Sequence, residues 1–191
     1  MERRSFIEET IKESIAVKEA MAEKESAVIL KISKLLTSVL QQGGTIYLCG
    51  NGGSAADAQH VAAEFVGRFG RERKALAAVA LTTNTSTLTA IGNDYNFAEI
   101  FARQVQALVR KNDALVGIST SGKSLNVLNA LREARTIGAV TVGFTGADAA
   151  AMVQYTDACL CVPSNKTPRI QEAHILAWHI ICELVEQNLF Q

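Results

Sequence analysis

The sequence predicts an α/β fold: a three-layer αβα sandwich around a five-stranded parallel sheet of order 2-1-3-4-5, preceded by an N-terminal helical extension. Three observations carry this. Short apolar runs recur from Thr45 onward, each about as long as a buried parallel strand. Stretches with helical spacing separate them, and such alternation implies parallel strands covered on both faces. Before Thr45 the pattern is helical throughout.

Residues Glu2 to Gln42 contain no Gly or Pro. Ile7, Ile11, Ile15 and Ala22 fall at helical spacing, as do Val28, Ile29, Ile32, Leu35, Leu36 and Leu40. The reading is two helices, broken near Glu23 to Ser26, with Gly43 and Gly44 stopping the second. This gives an extension over residues 1–42 and one globular unit over 43–191. The strand runs are Thr45–Cys49, Ala77–Leu81, Ala114–Ile118, Val140–Thr145 and Ala158–Val162. Helices are expected at Ser54–Gly67, Phe97–Arg110, Ser124–Ile137, Asp148–Gln154 and from about Pro168 to Leu189.

In the order 2-1-3-4-5 the winding reverses between strands one and three, and a crevice opens at their carboxyl ends. The loops that follow those two strands are Asn51-Gly52-Gly53-Ser54 and Ser119-Thr120-Ser121-Gly122-Lys123-Ser124. The second offers four hydroxyls, then a helix N-terminus with unpaired N–H groups and partial positive charge, where anions bind. The plainer alternative is Ser124 as an ordinary N-cap. In the first loop, Gly52 and Gly53 let backbone approach a ligand closely. Ser54 could simply cap the helix that follows.

Gly117 to Ser124 also matches the G-x-x-x-x-G-K-[ST] pattern of nucleotide-binding P-loops. A P-loop NTPase needs a further acidic residue at the end of an apolar strand to hold Mg²⁺. The later strands end in Phe144-Thr145-Gly146 and Val162-Pro163-Ser164, which supply none, and Gly117 reads as part of its strand.

Of the 191 residues, 19 are basic and 19 acidic, a formal net charge of zero. No basic excess points to nucleic acid, and little repulsion opposes self-association. The N-terminus has early positive charges but no apolar h-region, and no apolar run reaches the ~18 residues of a membrane span, so a cytoplasmic protein is expected. Cys49, Cys159, Cys161 and Cys182 show no C-x-x-C spacing and read as small buried residues in a reducing cytosol.

His60 and Glu64 lie at i, i+4 on the helix after Ser54 and project from one face. The last helix carries Gln171, Glu172, His174 and His179, so the chain's three histidines sit on two helices. The His60–Glu64 spacing is equally that of a surface ion pair. Moving a proton between neighbouring carbons, as aldose–ketose isomerisation does, needs a base at carbon and an acid near the carbonyl oxygen. Glu64 and His179 suit those roles by residue type.

Cys49-Gly-Asn-Gly-Gly-Ser54, His60-x-x-x-Glu64, Gly92-Asn93-Asp94, Ser119-Thr-Ser-Gly and Arg169-Ile-Gln-Glu-x-His174 together resemble the phosphoheptose isomerase family of sugar isomerase (SIS) domains, over nearly the whole chain. The resemblance implies interconversion of sedoheptulose 7-phosphate and D-glycero-D-manno-heptose 7-phosphate, feeding heptose synthesis for bacterial surface glycans such as lipopolysaccharide. It implies Glu64 as base and His179 as acid. It also implies a zinc ion, one per subunit, at His60, Glu64, Gln171 and His179. Substrate contacts are implied at Asn51, Gly52, Gly53, Ser54, Asn93, Asp94, Ser119, Thr120, Ser121, Ser124 and Gln171. Homotetramers with sites between subunits are implied as well. Lys123 departs from the pattern, standing where a small polar residue such as Asn is expected. It either adds charge beside the phosphate or points into solvent. Gln171 and His179 are eight residues apart, a rise of roughly 12 Å on one helix, which permits a shared ion without requiring one.

The alternative from another class is a non-catalytic SIS protein that binds the bacterial replication initiator, of which the ending Gln187-Asn188-Leu189-Phe190 has some flavour. Retention of Glu64 and His179 argues against it. A sugar-phosphate sensor, or an isomerase of a different ketose phosphate, is the third reading.

Overall fold

The computed structural model describes residues 3–190; residues 1, 2 and 191 of the two expected segments lie outside it. Five strands, β1 (Ile46–Gly50), β2 (Ala78–Ala80), β3 (Ala114–Ile118), β4 (Val140–Thr145) and β5 (Ala158–Cys161), form one sheet in the order β2-β1-β3-β4-β5. All four pairings are parallel. The helices are α1 (Arg3–Gln41), α2 (Gly53–Val66), α3 (Thr85–Asp94), α4 (Ala102–Leu108), α5 (Leu125–Ile137), α6 (Ala150–Val153) and α7 (Thr167–Leu189).

Alternation along the strands builds a core on each face. Ile46, Leu48, Val116, Ile118, Val142, Phe144 and Leu160 pack with α1, α2 and α7. Cys49 and Leu115 face Val105 of α4, Val127 and Leu131 of α5 and Met152 of α6. Gly117 lies inside β3, and a Cβ there would stand 2.7 Å from Val127 Cγ1 and 2.9 Å from Leu131 Cδ1. That glycine seats α5 on the sheet. It is strand, not the opening of a phosphate loop, so the P-loop reading fails on geometry.

The N-terminal segment is one 39-residue helix, not two. The polar stretch Glu23 to Ser26 does not break it, because it contains nothing that forbids helix. Ser26 Oγ donates back to the Ala22 carbonyl at 2.5 Å. Met21 and Ile29 are both buried on either side, so the inward stripe continues through the stretch. The polar residues there have work at the sheet edge. Glu25 accepts from Cys161 N–H at 3.4 Å, and Lys31 donates to the Asp157 carbonyl at 2.6 Å. An unpaired strand edge is thereby covered.

Helix α3 was not expected. Its Thr-rich sequence has low helix propensity and buries no residue, but Asn84 caps it by accepting from Thr87 N–H at 3.0 Å. The stretch expected as one helix over Phe97–Arg110 is a 3₁₀ turn, Phe97–Glu99, followed by the short α4. Cys49 and Cys182 are buried as expected, whereas Cys159 and Cys161 are half-buried; all four are free thiols. No helix among the described residues is long and apolar enough to cross a membrane.

Candidate functional site

Two groups of predicted residues assemble, joined by α2. The first lies at the carboxyl ends of β1 and β3, where the strand order reverses. Gly122 takes φ +66°, and a Cβ there would collide with the Asp148 carbonyl at 2.5 Å, so the loop turns where only glycine fits. Ser119 Oγ donates to Ser124 Oγ at 3.0 Å and lies 3.4 Å from Ser121 Oγ. Ser124 precedes α5 without a side-chain bond to the helix. It is therefore not the ordinary N-cap: its hydroxyl turns into the serine cluster, and the start of α5 is left uncapped by it. Thr120 closes the loop from behind, its carbonyl accepting from Gly146 N–H at 3.1 Å.

Asn51 ties the two loops together. Its amide exchanges two hydrogen bonds with the buried Asn126, at 2.9 and 2.8 Å. An open cavity of about 360 Å³ is lined by Asn51, Phe97, Ala98, Ser124, Leu125 and Asn126. Gly52 adopts φ +54° before α2, Ser54 is buried, and a Cβ on Gly53 would stand 2.3 Å from Gln171 Nε2. The Gln171 amide thus lies directly on the backbone of the first loop. Of the two alternatives for Lys123 the solvent-facing one holds: its side chain is exposed, with Nζ paired to the likewise exposed Asp148 Oδ2 at 2.6 Å.

The second group lies farther along α2 and α7, which run side by side in the same direction. His60 Nε2 is 3.1 Å from His179 Nε2 and 3.3 Å from Glu64 Oε1. The Phe69 ring packs on His179 with centroids 5.5 Å apart. Two imidazole nitrogens this close either share one proton-bearing bond or turn both lone pairs to a cation. Tetrahedral zinc with ligands at ~2.0–2.1 Å sets its nitrogens roughly 3.3 Å apart, so the pair matches two of the four positions. Among the described residues no group of three or more His, Cys, Asp or Glu converges as a metal cluster. Gln171 stands two turns earlier on α7, over Gly53.

Asn93 and Asp94 join neither group: both are exposed at the end of α3, bonded to each other at 2.9 Å. His174 is fully buried in the core, its Nε2 3.2 Å from the Thr145 carbonyl. A separate concavity of about 600 Å³ lies at the β2 edge between α3 and α4 and contains none of the predicted residues.

Sequence reasoning missed Asn126, Asp57 and the pair Arg73–Glu186. Asp57 sits one turn before His60 with Oδ2 buried and without a hydrogen-bond partner among the described residues. Burial raises its carboxyl above the ordinary range, and His60 partly offsets this. Its i, i+3 spacing to His60 was the available signal. Arg73 Nε meets Glu186 Oε1 at 2.9 Å with both side chains almost fully buried.

A parallel sheet with serine-lined loops at its switch point defines the SIS class of sugar-phosphate-handling domain, and the SIS domain family matches residues 10–146. Among curated relatives, the phosphoheptose isomerase of Roseiflexus sp. (strain RS-1) is 53% identical over 186 residues, covering 97% of this chain and 94% of that protein. That of Clostridium acetobutylicum is 51% identical, covering 98% and 96%. The solved phosphoheptose isomerase of Francisella tularensis superposes with a TM-score of 0.94 at 37% identity, over 98% of this chain and all of that one. The Neisseria gonorrhoeae structure gives 0.90 at 45%, over 96% and 98%. The chain belongs to the phosphoheptose isomerase family and is a sugar-phosphate isomerase.

Proposed function

We propose that this chain interconverts sedoheptulose 7-phosphate and D-glycero-D-manno-heptose 7-phosphate through an ene-diol, in the cytoplasm, as a homotetramer. The product would feed heptose units into bacterial surface glycans such as lipopolysaccharide. The observation that carries the reading is His60 standing between Glu64 and His179, 3.3 Å from the one and 3.1 Å from the other, on two adjacent helices. That juxtaposition supplies a carboxylate and an imidazole to one reacting centre.

Glu64 is the base that takes the proton from carbon and returns it to the neighbouring carbon. His179 is the acid at the carbonyl oxygen. The phosphate docks at Ser119, Thr120, Ser121 and Ser124 against the start of α5. Asn51 to Ser54 and Gln171 hold the sugar, with Asn93 and Asp94 completing the contacts. His60, Glu64, Gln171 and His179 would hold zinc, one per subunit; when bound it polarises the carbonyl and stabilises the ene-diolate. Phe6, Ile7, Ile11 and Ile15, all about half exposed or more on α1, support association with further copies.

The test is incubation with sedoheptulose 7-phosphate and detection of the aldose phosphate. Glu64→Gln is expected to lower turnover by at least ~10²-fold with the fold intact. Unchanged turnover removes Glu64 as the base. No turnover by the wild-type chain, together with tight binding to a replication initiator, would establish the non-catalytic alternative.

A further inference from the structure

We propose that Arg73 and Glu186 are positioning residues for the acid–base pair, a buried ion pair that fixes Glu64 on α2 and His179 on α7 in one frame. This rests on the isomerase reading and adds to it a brace outside the reacting groups.

The side chains are 1% and 3% exposed. Arg73 gathers the carbonyls at the end of α2. Nη2 donates to the Glu64 carbonyl at 2.8 Å, and Nη1 to those of Phe65 and Gly67 at 2.7 and 3.0 Å. The last carbonyls of a helix lack partners within it and carry its negative end, so a guanidinium satisfies them both by hydrogen bonding and by charge. One of the carbonyls it grips belongs to the proposed base itself. Its fork geometry also leaves Nε free to meet Glu186.

Glu186 lies two turns beyond His179 on α7. It accepts from Phe69 N–H at 2.9 Å, Gly70 N–H at 3.0 Å and Arg71 N–H at 3.1 Å, besides Arg73. Burial alone would raise its carboxyl, but these donors outweigh burial and hold it below the ordinary range. The Phe69 backbone is therefore pinned by Glu186, and the Phe69 ring rests on His179. One arm of the brace reaches the base through Arg73. The other reaches the acid through Phe69. Between them lies the buried thiol of Cys182, whose electrostatic neighbours are Glu64, Glu186 and Arg73.

The test uses Arg73→Lys and Glu186→Gln in the full chain, after circular dichroism and native mass show wild-type fold and assembly. Lysine keeps the charge but cannot span Glu186 and the carbonyls of α2. Glutamine keeps the shape but turns an NH₂ toward backbone donors. The expected result is a kcat at least tenfold lower, with KM for sedoheptulose 7-phosphate and inhibition by inorganic phosphate within twofold of wild type, because the serine loop is untouched. The histidine ring resonances give a second readout, readily assigned with only three histidines in the chain. Displacing Phe69 moves the His179 signals through its ring current and leaves those of His174 in place. If Arg73→Lys does not fold, Phe69→Leu tests the second arm with both charges intact and should give the same kcat loss. Folded variants with wild-type kcat and unmoved His179 signals would overturn the proposal. If the wild-type chain itself does not turn over the sugar, the isomerase reading fails while the resonances still decide the brace.

Discussion

Acid should weaken this fold through His174 before the surface carboxylates are titrated. The imidazole is fully buried, stands edge-on to Phe144 with centroids 5.5 Å apart, and places Nε2 3.2 Å from the Thr145 carbonyl. A carbonyl only accepts, so Nε2 carries the proton and donates. Nδ1 is buried with no partner among the described residues. A second proton there would put an unsatisfied N–H and a charge into the core. Burial accordingly pushes the pKa down to about 4, with the Thr145 bond opposing weakly. Between pH 6.5 and 4 the unfolded chain binds a proton at this residue that the folded protein refuses. The contribution of neutral His174 is whole above pH 6.5 and is lost as pH falls toward 4. The gap between those values corresponds to about 3 kcal/mol. Urea unfolding at fixed protein concentration, from pH 7 to pH 4, should show wild type losing that much more stability than His174→Gln, which keeps a donor and cannot titrate. Parallel curves for the two proteins would refute the argument.

Two further outcomes probe the halves of the site. Gly53→Ala should leave the melting temperature unchanged or slightly raised, because Gly53 begins a helix at ordinary backbone angles and its added methyl meets only the end of a flexible side chain. It should still cut turnover roughly tenfold, about 1.4 kcal/mol of transition-state binding, by displacing the Gln171 amide; equal loss of stability and turnover would mean Gln171 only packs. Dialysis against a chelator should remove one zinc per subunit and most activity, with both restored by added Zn²⁺, and His60→Ala should lower the zinc content measured by elemental analysis. A metal-free wild-type protein at full activity would leave the acid–base pair to work alone.

The sheet was legible because each strand is a short apolar run bounded by turn residues. β3 and β4 match the expected limits at both ends. The loops were legible because phosphate chemistry concentrates Gly and Ser at a predictable switch point. What stayed hidden is what depends on partners far apart in the chain. Asn51 and Asn126 are 75 residues apart, and Arg73 and Glu186 are 113 apart. Arg73 lies in the run Arg71-Glu72-Arg73-Lys74, which reads as an exposed charged turn, and only its burial reveals the difference. α3 was illegible for another reason: only Leu88 and Ile91, both partly buried, pack on the core, too short an apolar period to stand out from a Thr-rich stretch. The joint in α1 was expected where polarity rose, yet polarity at those positions reflects the edge of β5 rather than a turn. Gly117 worked the other way. The string around it imitates a P-loop, and only its place inside β3, with α5 pressed against it, separates the two chemistries.

α2 acts as a ruler between the two halves of the site. It starts at the first loop, where Gly53 meets Gln171, and ends at the Arg73–Glu186 brace, with His60 and Glu64 between. From Gly53 to Glu64 the helix rises roughly 16 Å, and from Gln171 to His179 α7 rises roughly 12 Å. An extended seven-carbon sugar phosphate is shorter than the first of these spans. A seven-carbon molecule anchored at the first loop, beside Gly53, therefore does not span α2 to the Glu64 of the same chain. The fold also leaves Phe6, Ile7, Ile11 and Ile15 exposed on α1, while Ser14 of that helix bonds Glu172 of α7 at 2.6 Å, one residue from Gln171. The apolar stripe and the helix bearing the proposed acid are thus mechanically joined. Both facts support the association proposed for this chain, in which copies pack through their apolar helices and the first loop of one faces the acid–base pair of another.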